Sequence, residues 1–342
     1  MTHTPLRFGL IGTGRIGRVH AASIAADPDT TLVWVADPII AGAEEIAARY
    51  GGTVTPDAAA VIASGDVDAL LIASPTPTHV DLIAAAVDVG IPVLCEKPID
   101  LDIVRVDALR ARVATAGVPV ALGFNRRFDP AFASVRARVA AGEIGPLEQL
   151  SIISRDPAAP PPAYVAVSGG IFRDMTIHDL DMARFFLPEI VEVSAVGSRM
   201  FDDGAREHGD FDTAVTVLRA ASGAIVTITN SRHSAVGYDQ RLEAFGPSGT
   251  LQVANAPTSL VSLSTAVEVE AKPPYQSFFL ERYAEAYTAE LRAFVRLVRG
   301  EPSSSPTFED GRAALVLADA AQRAAETGRT VSVDLDLDLN LD

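Results

Sequence analysis

Two fold classes follow one another along this chain of 342 residues: α/β, with a parallel, doubly wound sheet, then α+β, with a mostly antiparallel sheet and helices. Three observations predict them. Strand-like and helix-like stretches alternate from Leu6 to Gly123, β signals joined by short turns dominate from Leu147 to Val253, and the chain is longer than one hydrophobic core ordinarily serves. The expected division is residues 1–123 and 124–342, with the terminal helix free to pack back on the first part.

The first element is the apolar run Leu6 to Ile11, which reads as a strand. Gly12-Thr13-Gly14-Arg15-Ile16-Gly17 follows directly, with glycines in G-x-G-x-x-G spacing, and leads into a helical stretch to about Ala26. Gly12 permits the tight turn, Gly14 lets backbone approach a pyrophosphate, and Gly17 lets helix and strand pack closely, while Arg15 and Ile16 complete the turn. Phosphates then lie at a helix amino terminus, where free N–H groups and the helix dipole favour anions. Thr31 to Ala36 is the second strand, and Asp37 ends it 20 residues beyond Gly17. A carboxylate there accepts both ribose hydroxyls of an adenosine and repels a 2′-phosphate. Pro38 and Ile39 follow, with no arginine or serine to receive such a phosphate, so NAD is expected over NADP. The alternative is a plain glycine turn with Asp37 capping a helix.

The alternation continues through strand-like Ala69 to Ala73, then Ser74-Pro75-Thr76-Pro77-Thr78-His79 and a helix to Gly90. Val93 to Cys95, Glu96-Lys97-Pro98, a helix from about Ile103 to Ala116 and a strand from Pro119 to Gly123 complete the set. In an open parallel sheet Ser74, Thr76, His79 and Glu96 fall with the glycine turn along the carboxyl edge, as cofactor-side candidates. The other reading of His79 is that it caps or packs the following helix. Lys97 is one of only two lysines, the other being Lys272, in a chain whose remaining basic residues are arginine. Arginine stays cationic at any working pH, whereas a lysine ammonium can hold or pass a proton, so Lys97 is a catalytic candidate; the plain alternative is an exposed loop lysine.

Beyond Asn125-Arg126-Arg127-Phe128-Asp129-Pro130 and a helix to about Ala141, strand signals recur at 147–153, 191–196, 213–219, 224–229, 240–245 and 250–253. Ala221-Ser222-Gly223 and Pro247-Ser248-Gly249 mark hairpins, and helices are expected over 283–299 and 311–327. One face of such a sheet commonly becomes an interface between copies, so a homo-oligomer is expected. Val333 to Leu339 alternates at period two with dense negative charge, as an edge strand or a solvated tail. Between the strands, Gly169 to Phe185 carries Asp174, His178 and Asp181, which a regular helix at ~100° per residue groups within ~60°. Met175, Ile177, Leu180 and Met182 predict that this helix is largely buried. A histidine beside carboxylates suits proton transfer near neutral pH; the alternatives are metal ligation and a buried polar network that fixes helix packing.

A net charge of −16 opposes nucleic acid and anionic membrane, which both need a basic footprint. Cys95 is the only cysteine, so neither an intramolecular disulfide nor a cysteine-rich metal site is expected. With no signal-peptide pattern near Met1 and no apolar run of ~20 residues, the expected location is the cytoplasm.

The glycine fingerprint at 12–17, Glu96-Lys97-Pro98, Gly123 to Asp129, Gly169 to Arg184 and Gly237-Tyr238-Asp239-Gln240-Arg241 resemble the Gfo/Idh/MocA family of NAD(P)-dependent oxidoreductases over nearly the whole chain. The run Asp174-Met175-Thr176-Ile177-His178-Asp179 points to the branch acting on inositols. The resemblance implies NAD-dependent oxidation of a secondary alcohol of a cyclic polyol, myo-inositol foremost, with another inositol stereoisomer or an aldose as alternatives. It implies Lys97, Asp174 and His178 as the catalytic group, these three with Arg127, Asp156, Asp181 and Tyr238 as substrate-pocket positions, and a homotetramer. Some members carry a histidine in the stretch here written Ser154-Arg155-Asp156-Pro157; this chain has none. A reading outside catalysis, an NAD-binding sensor, needs the glycines but not lysine, aspartate and histidine together.

Overall fold

The structure is a computed structural model describing residues 4–335. It divides into two compact units, Met1–Phe128 with Glu285–Ala313, and Asp129–Ala284 with Ala314–Asp342. The first unit is therefore discontinuous in sequence, unlike a single cut after residue 123.

Strands β1 (Leu6–Ile11), β2 (Thr30–Ala36), β3 (Thr53–Thr55), β4 (Ala69–Ile72), β5 (Val93–Cys95) and β6 (Val120–Leu122) form the first sheet in the order β3-β2-β1-β4-β5-β6. Every pair is parallel. All four residues of β4 are buried, as a strand covered on both faces requires. The order reverses between β1 and β4, which opens a crevice at their carboxyl ends. Helix Ile40–Tyr50, β3 and helix Ala58–Ala63 are elements the sequence reading does not assign; the last two, of three and six residues, are too short to display a period. Helix Ile103–Ala116 matches its sequence bounds because both ends are signalled: Asp102 accepts the Val104 N–H, and Gly117 adopts φ +63°. The core joins Phe8, Leu10, Ile24, Val35, Leu71 and Leu94 to Leu291, Phe294 and Val295 of the returning helix Ala284–Val298. There the Phe8 and Phe294 rings meet edge to face at 6.1 Å.

The second unit holds β7 (Gln149–Arg155), β8 (Ile190–Ser198), β9 (Thr213–Ala220), β10 (Ile225–Ser231), β11 (Asp239–Gly246), β12 (Gly249–Val253) and β13 (Val331–Ser332). Their order is β12-β11-β7-β10-β9-β8-β13, antiparallel except for the parallel pair β7/β10. β9 alternates, with Ala214, Thr216 and Leu218 buried and Val215, Val217 and Arg219 exposed, so the sheet has one packed and one open face. Both expected hairpins are present: Gly223 N–H closes on the Ala220 carbonyl at 2.9 Å, and Gly246 pairs with Gly249 across Pro247-Ser248. The edge strand β13 on β8 ends at Ser332, just before the acidic alternating segment, of which Val333 donates its N–H to the Val191 carbonyl at 2.9 Å and Asp336 to Leu339 lie outside the described residues. Among the described residues no helix is long and apolar enough to cross a membrane.

Candidate active site

In the first unit the crevice is made of backbone. Gly12 adopts φ +97°, and a Cβ there would lie 2.5 Å from the Ala73 carbonyl and the Ser74 nitrogen, so the turns after β1 and β4 approach too closely for a side chain. A Cβ on Gly17 would lie 2.1 Å from the Gly12 carbonyl oxygen, which seats helix Arg15–Ala26 directly on the turn. Gly14 differs. A Cβ there meets nothing within 4 Å, no side chain caps the helix, and no acidic residue occupies its first turn. Open space before uncapped N–H groups fits the pyrophosphate of a dinucleotide.

Asp37 sits at the end of β2 with Oδ2 accepting from the Thr13 N–H and hydroxyl, each at 2.8 Å, and Oδ1 from the Ile39 N–H at 2.8 Å. Burial raises its pKa, but these bonds outweigh burial and hold it below the ordinary value. Asp37 is thereby fixed as an anion beside the glycine turn, where the fingerprint puts a ribose. The Ser74 hydroxyl bonds that of Thr78 at 2.6 Å, and Thr76 opens the short helical turn Thr76–Thr78.

Two cofactor-side candidates turn their side chains into the protein. His79 is 1% exposed, and its nitrogens face the Pro98 and Ser74 carbonyls, each at 2.8 Å. The Glu96 carboxylate turns inward to His20 Nε2 at 2.7 Å and to the Lys97 N–H at 3.3 Å. Lys97 is half-buried just beyond. Arg127 is buried, with Nη2 3.1 Å from Asp310. Burial pushes the Cys95 thiol well up, which keeps it protonated.

In the second unit the expected regular helix is broken in two: a π turn over Phe172–Thr176, then helix Ile177–Phe186. Wider turns change the angle per residue, so the 100° arithmetic holds only from Ile177 onward and does not fix Asp174 relative to His178 and Asp181. Asp174 is oriented by tertiary bonds instead. Its Oδ1 accepts from the Tyr164 hydroxyl at 2.7 Å and its Oδ2 from Arg232 Nη1 at 3.1 Å. Arg232, 1% exposed, reaches Asp210 Oδ2 with Nη2 at 3.2 Å, and Asp210 Oδ1 accepts the Ile171 N–H at 2.8 Å. Burial opposes the Arg232 charge, but Asp174 and Asp210 outweigh that and raise its pKa; burial and Asp174 together push the Tyr164 phenol far up, so it remains a donor.

The buried Asn230 of β10 accepts from the Thr176 hydroxyl at 2.8 Å and donates to Asp179 at 2.7 Å, pinning the helix to the sheet. His178 is half-buried on that helix, while Asp181 is 1% exposed. Tyr238, 6% exposed, meets the Tyr283 ring edge to face at 6.0 Å. Asp156, half-buried, follows β7 and donates its N–H to the Ser231 carbonyl at 2.9 Å. Tyr164, Asp210, Asn230 and Arg232 are the residues that sequence reading does not single out: Tyr164 lies ten positions before Asp174 and the other three far beyond it, each in a segment without a motif. Among the described residues no group of three or more His, Cys, Asp or Glu could hold a metal ion.

Comparison with known proteins agrees with this geometry. Residues 6–124 match the model of an oxidoreductase family with an NAD-binding Rossmann fold, and 132–252 match the GFO/IDH/MocA C-terminal domain. The chain is 44% identical over 330 residues to inositol 2-dehydrogenase of Rhizobium meliloti, covering 96% of this chain and 99% of that protein. A crystal structure of a myo-inositol dehydrogenase from Corynebacterium glutamicum superposes with TM-score 0.94 at 53% identity, covering 96% and 99%. That of scyllo-inositol dehydrogenase from Lactobacillus casei, with bound NAD(H) and scyllo-inositol, gives 0.88 at 30% identity, covering 96% and 99%. A glycine turn shaped for a dinucleotide, an aspartate-histidine helix and matches spanning both units place one conclusion beyond argument: the chain belongs to the Gfo/Idh/MocA family of NAD-binding oxidoreductases.

Proposed function

We propose that the chain oxidises one ring hydroxyl of an inositol, myo-inositol to 2-keto-myo-inositol, with NAD as acceptor. The observation that carries this is Asp174, oriented by the Tyr164 hydroxyl and Arg232 on the same largely buried segment as His178. His178 removes the hydroxyl proton, and Asp174 stabilises the imidazolium that forms. Lys97 donates to the same oxygen as charge develops on it, an interaction stronger in the transition state than in the bound alcohol. Bound NAD takes the hydride from the alcohol carbon at its nicotinamide ring. Asp156, Asp181 and Tyr238 bind the remaining hydroxyls. Arg127, already paired with Asp310, contributes by shaping the β6 terminus.

Another inositol stereoisomer or an aldose is the second reading. It is favoured by the end of β7, where Ser154 donates to Gln240 at 3.0 Å, Arg155 pairs with Asp239 at 3.1 Å, and the stretch Ser154-Arg155-Asp156-Pro157 has no histidine. NADH formation across a panel of inositol isomers and aldoses separates the two. Fastest turnover of myo-inositol supports the first, a different best substrate the second, and NAD binding without turnover of any member returns the chain to a sensor.

We further propose a homotetramer, assembled through the open face of the second sheet. The register puts Val196, Val215, Val217, Ile225 and Phe245 on that one face, each at least 39% exposed, which is apolar area suited to a second copy. Light scattering tests it: a tetramer mass is expected, and Val217→Glu lowers it. A cytoplasmic location accords with NAD use and with Cys95 as a buried free thiol.

A further inference from the structure

Two histidines that the proposed chemistry does not use grip the segment carrying Lys97 from opposite ends. His20 comes from helix Arg15–Ala26, the helix whose amino terminus faces the pyrophosphate position. It is 1% exposed, its Nε2 lies 2.7 Å from Glu96 Oε1, and its Nδ1 has no hydrogen-bond partner, so Glu96 is the ring's single polar tie. The ring is packed edge-on against Tyr287 at 5.6 Å. The other Glu96 oxygen accepts the N–H of Lys97 itself at 3.3 Å. The Glu96 carboxylate fills the space beside Gly123, where a Cβ would stand 3.0 Å from it, so only glycine at 123 leaves room for this arrangement. Beyond Lys97, the buried His79 ring lies between the Pro98 and Ser74 carbonyls, with Nδ1 and Nε2 each 2.8 Å from one of them, and its neutral form donates to one of the two.

We propose that His20 and His79 form a brace that positions Lys97 and couples it to the dinucleotide crevice. One side of the brace runs from the phosphate-facing helix through Glu96 to the Lys97 backbone. The other ties the Lys97-Pro98 segment to the turn after β4. Neither histidine touches reacting atoms; both are positioning residues. Buried hydrogen bonds suit this task, since a side chain on a flexible four-carbon stem is placed only as well as its own backbone is. A shift of about 1 Å at a reacting group lowers a rate by about 10²-fold.

This inference rests on the assignment of Lys97 to the reacting oxygen, and two readouts keep the two ideas apart. Having only two lysines, the protein allows a direct measurement: brief acetylation with acetic anhydride, with mass spectrometry giving modification of Lys97 relative to Lys272, which is exposed. In the parent, saturating NAD changes this ratio. In His20→Leu and His79→Leu the ratio without NAD shifts at least about threefold and the response to NAD shrinks, while kcat falls about 10²-fold and KM for NAD changes less than kcat. His20→Gln, which keeps a donor toward Glu96, restores most of the loss. Should His20→Leu fail to fold because buried Glu96 loses its side-chain partner, His20→Leu with Glu96→Gln replaces the carboxyl by an amide, and its kcat is still expected to be low. An unchanged labelling ratio together with unchanged kcat in the folded leucine variants overturns the brace. Near-normal turnover in Lys97→Met instead overturns the role of Lys97, while the labelling ratio continues to judge the brace on its own.

Discussion

The crevice of the first unit is built from backbone, and the ionisable segment of the second from side chains. At Gly12 and Gly17 the chain excludes a Cβ by contact with its own main chain, so the residue type is dictated within a few positions of sequence. At Asp174 the restraints arrive from Tyr164, Arg232 and, through Arg232, Asp210, none of which is fixed by spacing. A backbone site is therefore intolerant of almost any substitution but simple to read, whereas a side-chain site is adjustable one partner at a time and hard to read.

The difference predicts a graded set of outcomes. The largest is expected in the side-chain site: His178→Ala lowers kcat by about 10²- to 10⁴-fold and removes the rise of alcohol oxidation with pH, the behaviour of a lost general base. An unchanged pH–rate profile in the folded variant would exclude His178 as the base. In the backbone site, two glycines three residues apart should separate folding from binding. Gly17→Ala forces a methyl group onto the Gly12 carbonyl and costs about 1–3 kcal/mol, read as a lower denaturant midpoint. Gly14→Ala has no protein atom to meet, so its midpoint stays with the parent while calorimetry shows NAD binding weakened about 10- to 100-fold; equal loss of stability in both variants would break the distinction.

A smaller effect is expected at Asp37. Asp37→Ser removes an anion that accepts ribose hydroxyls, weakening NAD about tenfold and narrowing its preference over NADP, checked by kcat/KM with each. Indiscriminate use of both cofactors by the parent enzyme would remove Asp37 from that role.

The smallest is structural and depends on pH. Asp212 is buried and accepts the N–H groups of Met200, Phe201 and Asp202 and the Thr213 hydroxyl. Burial raises its pKa, but those donors prevail and hold it below the ordinary value. A folded pKa below the unfolded one stabilises the fold above the unfolded value of ~3.9 and loses that stabilisation as pH falls through the lowered value. Asp212→Asn is thus expected to cost about 1–2 kcal/mol at neutral pH, with the gap between variant and parent closing in acid. A gap that persists undiminished at pH 2, in urea titrations followed by circular dichroism, would contradict this assignment.

The same contrast explains what could be read beforehand. The parallel sheet, its switch point and the Asp37 position were legible because turn glycines and short buried strands leave local marks. Helix Ile103–Ala116 was legible to the residue because Asp102 and Gly117 mark its ends. The π turn at Phe172–Thr176 was not, since periodicity assumes a constant angle per residue. The partners of His79 and Glu96 were not legible, because sequence position along a strand end does not say whether a side chain turns to the crevice or to a neighbouring carbonyl or histidine. The contribution of Leu291, Phe294 and Val295 to the first core was likewise hidden, as an amphipathic helix carries no record of the sheet it covers.

That last feature bears on how the protein is made. Phe8 and Leu10 leave the ribosome long before Phe294, which packs against Phe8 from far along the chain. At ordinary elongation speeds the interval is on the order of tens of seconds. Throughout it, the nascent six-stranded sheet carries an uncovered apolar patch, a natural client surface for chaperones and a point where premature termination leaves a sticky fragment. Emergence of helix Ala284–Val298, rather than appearance of the glycine turn, sets the moment at which the nucleotide crevice rests on a closed core.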